Sequence, residues 1–120
     1  MVNTKDLFAE FEKCRGELVG FHQGLVRIPT VNTGVMPTGN ETEACKFIQN
    51  KLSTEGIECE ILESAPSRGN LVARLGEADS PSLMLMSHTD VVPIEDEKVW
   101  KYAPFSAQLA DGLIWGRGSS

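Results

Sequence analysis

The triplet His88-Thr89-Asp90 combines residue types and a spacing that could do chemistry. It follows the apolar run 83–86, so the imidazole is expected at the end of a buried strand. Residues i and i+2 of an extended chain lie on the same side, so the Asp90 carboxylate can reach the His88 ring. A neutral imidazole is a good zinc ligand, and an acceptor on its other nitrogen fixes the tautomer. The triplet therefore predicts a metal or catalytic site, with His88 as the ligand and Asp90 as its orienting partner.

The position of the triplet favours this interpretation, because ligand sites in open α/β sheets cluster at the carboxyl ends of strands. His-x-Asp triplets also arise by chance, and most of them are structural. On the residues alone, a purely structural role for the triplet therefore remains the alternative.

An apolar stripe predicts the first element that must support this site. From Leu7 to Ile28, apolar residues recur at steps of one, three or four, which is typical of an amphipathic helix. Asn3 or Thr4 can cap its start, and Pro29 ends it. We expect the stripe to face the core rather than a partner.

A second helix is predicted to begin at residues 38–41. Thr38 and Glu41 have the spacing of a capping box, in which each side chain satisfies a main-chain amide of the first turn. Gly56 is a natural residue for the position just after the end of this helix.

Three strands are predicted to follow, at 57–63, 70–75 and 82–87. The turn at 66–69 joins the first two, and residues 76–81 connect to the third. The third run is almost continuously apolar, which favours a central strand covered on both faces.

Asp111-Gly112 predicts a further hairpin, between short strands at 107–110 and 113–115. Helices beside a sheet of this kind indicate the α/β class, with a mixed sheet flanked by helices.

Composition narrows the class of protein. The 120 residues are 41% hydrophobic and 23% charged, which is typical of one folded domain. The net charge of −6 argues against nucleic acid and anionic membranes as partners. No signal peptide and no apolar run near the roughly 20 residues of a membrane helix are present, so a cytoplasmic protein is expected. Cys14, Cys45 and Cys59 are interpreted as reduced structural thiols.

Other residues with chemical potential have simpler interpretations. We expect His22 to be a structural histidine, Asp111-Gly112 a turn, and Glu95-Asp96-Glu97 a solvated loop. Structural roles are also favoured for three residues that could otherwise contact a substrate: Trp100 and Phe105 as wall or core residues, and Arg117 in an ion pair. The Gly-x-Gly at 116–118 lacks the third glycine of a dinucleotide site.

The series from the triplet onward closely resembles the co-catalytic zinc exopeptidase and deacylase family. Members of that family include acetylornithine deacetylase, succinyl-diaminopimelate desuccinylase, aminoacylase and glutamate carboxypeptidase. The resemblance rests on residues 87–93, Trp100, 104–105, 111–115 and 116–119, together with 26–31, 39–41 and 70–73.

The resemblance implies that residues 1–120 are the N-terminal part of a zinc-exopeptidase-type catalytic domain. It implies that His88 is a zinc ligand, that Asp90 orients it, and that 116–119 lead towards a metal-bridging aspartate expected just beyond Ser120. The general base and the other ligands are also expected beyond the chain. The implied cofactor is zinc, as two ions, with cobalt or manganese as substitutes.

The implied reaction is cleavage of an amide bond in an N-acyl amino acid or small peptide, by a full-length protein expected to be a homodimer. The 120 residues alone are expected to bind zinc weakly, to be inactive and to associate through uncovered sheet edges. The alternative is a non-catalytic binding or assembly domain that retains the fold. An unrelated enzyme with a single metal would require ligands that the chain lacks.

Overall fold

The computed structural model describes residues 3–76 and 81–120 of the chain, and these form two α-helices and two β-hairpins. The elements are α1 (Thr4–Val26), α2 (Glu41–Thr54), β1 (Cys59–Glu63), β2 (Gly69–Ala73), a 3-10 turn (Glu97–Val99), β3 (Gln108–Ala110) and β4 (Leu113–Trp115). The α/β class predicted from the sequence is confirmed. The chain divides into two compact units: the first is Met1–Arg27 with Asp96–Ser120, and the second is Ile28–Glu95.

Helix α1 begins and ends close to where the sequence predicts. The side chain of Asn3 caps it by accepting a hydrogen bond from the Asp6 amide at 3.0 Å, and the last helical residue is Val26. The expectation that the whole apolar stripe faces a core is wrong. Half or more of each large apolar side chain in its first part is exposed (Leu7, Phe8, Phe11 and Leu18). Nothing in the described part of the chain covers them.

The core of the first unit lies at the other end of α1. Val26 and Ala107 are buried, and the Gln23 side chain donates a 2.7 Å hydrogen bond to the Ala107 carbonyl. Gly116 packs against Val26 so closely that a Cβ atom at this position would overlap the valine side chain. A glycine is therefore required here by close packing.

The hairpin at Asp111-Gly112 is confirmed. Strands β3 and β4 pair antiparallel, with Gln108 opposite Trp115. Asp111 and Gly112 have φ values of 55° and 75°. Positive φ at both central residues is the signature of the tight turn that Asp-Gly favours.

The capping box predicted for α2 is wrong. Helix α2 begins at Glu41 after Asn40, whose side chain makes no capping hydrogen bond. The Glu41 carboxylate instead lies 3.1 Å from Nε of Arg68, and the Thr38 hydroxyl accepts from the Thr33 amide at 2.7 Å. Both side chains are engaged elsewhere, so neither can close the box. The prediction that Gly56 follows the end of α2 is confirmed, and Gly56 has a φ of 72° there.

The hairpin of β1 and β2 is also confirmed. The register pairs Cys59 with Ala73 and Glu63 with Gly69. Helix α2 packs on both strands and buries Ala44 and Cys45. Burial raises the pKa of the Cys45 thiol, and the charge of Glu41 raises it further. All three cysteines are free, as expected from the sequence.

The strand predicted at 82–87 is wrong. Described residues 81–90 form no strand, and Leu83, Met84, Leu85 and Met86 are 77–88% exposed. A strand requires a neighbour for its main-chain groups, and none of the described strands pairs with this segment. The predicted connection at 76–81 falls largely on 77–80, which lie outside the described residues.

Candidate metal centre

A short parallel contact, rather than a strand, positions the triplet in the second unit. Val31 and Val91 form an isolated parallel bridge. The Val91 amide donates to the Thr30 carbonyl at 3.0 Å, and the Asn32 amide donates to the Val91 carbonyl at 2.8 Å. The Thr30 hydroxyl adds a 2.5 Å hydrogen bond to the Thr89 carbonyl. These bonds hold the carboxyl end of the triplet against residues 30–32.

The geometry of the His88 ring assigns its tautomer. Nδ1 lies 2.9 Å from the main-chain oxygen of Asp90 and 3.1 Å from its Oδ1. A carbonyl and an ionised carboxylate can only accept, so Nδ1 carries the hydrogen. The side chain is 83% exposed, and Nε2 has no hydrogen-bond partner among the described residues. Its lone pair is therefore available to a metal ion.

Asp90 is held by two partners. Its Oδ1 faces the ring, while its Oδ2 accepts a 2.9 Å hydrogen bond from the side-chain amide of Asn32. The pKa of Asp90 is lowered, and the hydrogen bond from Asn32 is the largest cause. Burial is the next largest and raises the pKa, while the hydrogen bond and charge of His88 lower it again. Asp90 is therefore ionised at neutral pH and is a strong acceptor for the ring.

The sequence analysis missed Asn32. It is separated from Asp90 by 58 residues, and no local pattern links the two. The neighbouring bridge between Val31 and Val91 brings them together, and that pairing depends on the fold.

A cleft of about 550 Å³ lies beside the triplet within the second unit. Its walls are formed by α2 at Glu41 and Cys45, by β2 and by residues 84–90. This volume is within the range of small-molecule sites. The ring of His88 lines the cleft, so a small ligand could approach it there.

The side chains around His88 meet only part of the requirement of a zinc site. An imidazole with a fixed tautomer is a suitable ligand, but zinc sites use about three or four protein ligands. Among residues 3–76 and 81–120, no three histidine, cysteine or acidic side chains form a group that could hold a metal ion. His22 is half-buried on α1, and its structural role remains a prediction. The described part of the chain thus offers one prepared ligand rather than a complete site.

Residues 116–119 belong to the first unit. The Arg117 amide donates to the Pro104 carbonyl at 2.7 Å, and the Ser119 hydroxyl donates to the Gly116 carbonyl at 3.0 Å. The Arg117 guanidinium lies 4.9 Å from the centre of the Trp100 ring. Within the described ranges Arg117 makes this cation–π contact and no ion pair, so the ion pair expected from the sequence is not found.

The remaining candidates agree with their simpler interpretations. Trp100 and Phe105 are half-buried, as expected of wall or core residues. Glu95, Asp96 and Glu97 are exposed, and Asp96 caps the 3-10 turn by accepting from the Lys98 amide at 2.9 Å.

Comparison with known proteins adds independent information. Residues 84–120 match the model of Peptidase family M20/M25/M40. Succinyl-diaminopimelate desuccinylase of Ehrlichia canis (strain Jake) is 38% identical over 99 residues, covering 80% of this chain and 24% of the relative. An enzyme of the same name from Methylorubrum extorquens is 38% identical over 101 residues, covering 81% of this chain. That from a Caulobacter species is 35% identical over 101 residues, covering 84% of this chain.

The chain spans about a quarter of the length of these curated relatives, 24% in each case. No helix among the described residues combines the length and apolar character needed to cross a membrane.

Proposed function

We propose that the chain forms part of a metal-dependent amide hydrolase of the deacylase kind, because it is related in sequence to Peptidase family M20/M25/M40. The matches confirm the family resemblance predicted from the sequence. The observation that carries the proposal is the His88 ring, which donates from Nδ1 to Asp90 and leaves Nε2 exposed.

In the proposed reaction, His88 would hold a metal ion through Nε2. Asp90 keeps the hydrogen on Nδ1 and orients the ring, as carboxylates beside metal-bound histidines do. Zinc, expected as two ions with cobalt or manganese as substitutes, would polarise the scissile carbonyl and lower the pKa of a bound water. The general base and the other metal ligands are assigned to no residue of this chain.

The proposed substrate is an N-acyl amino acid or a small peptide. The named activity of the relatives makes an N-succinyl amino acid the first compound to test. The cleft beside His88, about 550 Å³ in volume, has the size for such a molecule.

The proposal extends to the organisation of the protein. Residues 1–120 would form the N-terminal part of the catalytic domain, inactive alone because the residues that the structure describes supply one prepared zinc ligand where three or four are needed. We expect the full-length protein to be a homodimer, with no nucleic acid or membrane partner. The free cysteines support a cytoplasmic location, where thiols stay reduced.

The experiment that tests this function compares His88→Ala with His22→Ala in the full-length protein. Zinc content is measured by atomic absorption, and hydrolysis is measured with an N-succinyl amino acid. We expect His88→Ala to lose bound zinc and activity, because it removes a direct ligand. His22→Ala should retain both. Unchanged zinc and activity in His88→Ala would reject the metal centre assigned to His88, whereas a full-length parent protein that holds no zinc and hydrolyses no N-succinyl amino acid would favour the non-catalytic domain.

A further inference from the structure

The side chain of Asn32 is fixed at both ends. Its Oδ1 accepts a 2.9 Å hydrogen bond from the Gly34 amide, and its Nδ2 donates at 2.9 Å to Oδ2 of Asp90. The Gly34 amide can only donate, so the oxygen end of Asn32 must face it. The NH₂ end is therefore committed to Asp90. The Asn32 main chain is fixed as well, through the bond to Val91 at 2.8 Å.

This arrangement determines which oxygen Asp90 presents to the ring. A carboxylate can rotate about its terminal bond, and this torsion is broad and roughly two-fold for aspartate. The hydrogen bond from Asn32 restrains Oδ2, so Oδ1 stays 3.1 Å from Nδ1 of His88. Without Asn32, the ring keeps its contact with the Asp90 main-chain oxygen, but its carboxylate partner is free to rotate away.

We propose that Asn32 is a positioning residue of the metal centre: it holds the Asp90 carboxylate in the orientation that prepares His88 Nε2 for metal. This inference rests on the proposed function. It assigns to Asn32 a role that the spacing of the triplet does not reveal.

The chain offers a matched comparison in Thr30. Its hydroxyl donates to the Thr89 carbonyl at 2.5 Å, so it ties together the same two segments. Thr30 makes no hydrogen bond to the Asp90 carboxylate within the described residues. If Asn32 only ties the two segments together, substitutions at Asn32 and Thr30 should have equal effects on zinc affinity. If Asn32 positions the Asp90 carboxylate, only the substitution at Asn32 should change the environment of the His88 ring.

The test uses Asn32→Asp and Thr30→Val in the full-length protein. Aspartate has nearly the shape of asparagine and can still accept from the Gly34 amide, but it replaces the amide donor beside Asp90 with a second carboxyl group, which repels the first or shares one proton with it. We measure the affinity of the metal-free protein for ZnCl₂ by calorimetry and the Nδ1–H proton resonance of His88 by NMR. Melting temperature reports the structural cost of each variant.

We expect Asn32→Asp to weaken zinc binding about 10-fold, the lower end of losses at groups that support metal ligands. Its ring N–H resonance should move upfield as the carboxylate partner is lost. Thr30→Val should lower the melting temperature, lose less zinc affinity than Asn32→Asp and keep the parental ring resonance, because it leaves the Asp90 carboxylate in place. Should Asn32→Asp fail to fold, Asn32→Ala removes the same donor without adding a charge.

Two results would overturn the inference. One is parental zinc affinity and ring resonance in the Asn32 variants. The other is an equal loss of affinity in Asn32→Asp and Thr30→Val. Either result, obtained while His88→Ala still abolishes zinc binding, would remove the role of Asn32 and leave the proposed hydrolase intact. Retention of zinc by His88→Ala would instead reject His88 as the metal ligand, the observation on which the proposed function rests.

Discussion

His88 differs from an ordinary exposed histidine in one respect. An exposed ring usually samples several orientations and both neutral tautomers, and it must lose that freedom when it binds a metal. Here, two acceptors on Asp90 hold Nδ1 while 83% of the side chain remains exposed. The ring is thus restrained before any ion arrives, which reduces the entropic cost of binding.

The role of Asp90 gives a prediction at this scale. Asp90→Asn removes the charged acceptor on the ring and places a second amide beside that of Asn32. We expect a 10- to 100-fold loss of zinc affinity, roughly the usual range for partners of metal-bound histidines. Calorimetric titration of the metal-free, full-length protein with ZnCl₂ measures it. Asp6→Asn, an exposed carboxylate in the first turn of α1, is the control and should bind as the parent does.

The pairing of His88 with Asp90 could be predicted because it is local, depending only on the i, i+2 geometry of an extended chain. The contribution of Asn32 could not be predicted in this way. It depends on a bridge between residues 31 and 91, and such long-range pairings leave no periodic pattern in a single sequence.

Among the elements, those with local turn chemistry were predictable. Asp111, Gly112 and Gly56 are residue types that favour turns because they tolerate positive φ. The structure places all three at positive φ. The capping box of α2 failed because Arg68, distant in sequence, takes the Glu41 carboxylate. The strand at 82–87 failed for the same kind of reason, since an apolar run does not specify a partner for its main chain.

Two glycines give a prediction at the element scale. A Cβ at Gly69 would lie 2.9 Å from the Cα of Thr42, so β2 or α2 would have to move. We expect Gly69→Ala to reduce the free energy of unfolding by about 1–3 kcal/mol, as overpacking does. Gly16, inside α1, has nothing within 4 Å of that position. Gly16→Ala should instead add about 0.5–1 kcal/mol through helix propensity.

Urea denaturation of both variants measures these changes. Equal stabilities for Gly69→Ala and the parent would show that α2 and β2 do not pack as closely as described.

For the whole molecule, the main property is its uncovered apolar surface. In the second unit, Leu83 and Leu85 are 84% and 87% exposed, and in the first unit Phe8 is 67% exposed. Folded monomers rarely expose large continuous apolar patches, and unpaired extended segments can add to other chains.

We therefore expect the isolated 120-residue chain to associate. Light scattering after size-exclusion chromatography should give a mass above the 13.1 kDa of one chain. Leu83→Lys with Leu85→Lys removes two of the most exposed apolar side chains, so the double variant should shift the chain towards monomer. A monodisperse 13.1 kDa species for the parent at high concentration would contradict this expectation.

The central claim is that His88 binds a metal through Nε2 with Asp90 on Nδ1. Anomalous diffraction at the zinc edge, from crystals of the full-length protein, tests it most directly. We expect a zinc peak about 2.0–2.1 Å from Nε2 of His88, the usual Zn–N distance. Zinc bound to Nδ1, or zinc bound only at sites away from His88, would contradict it.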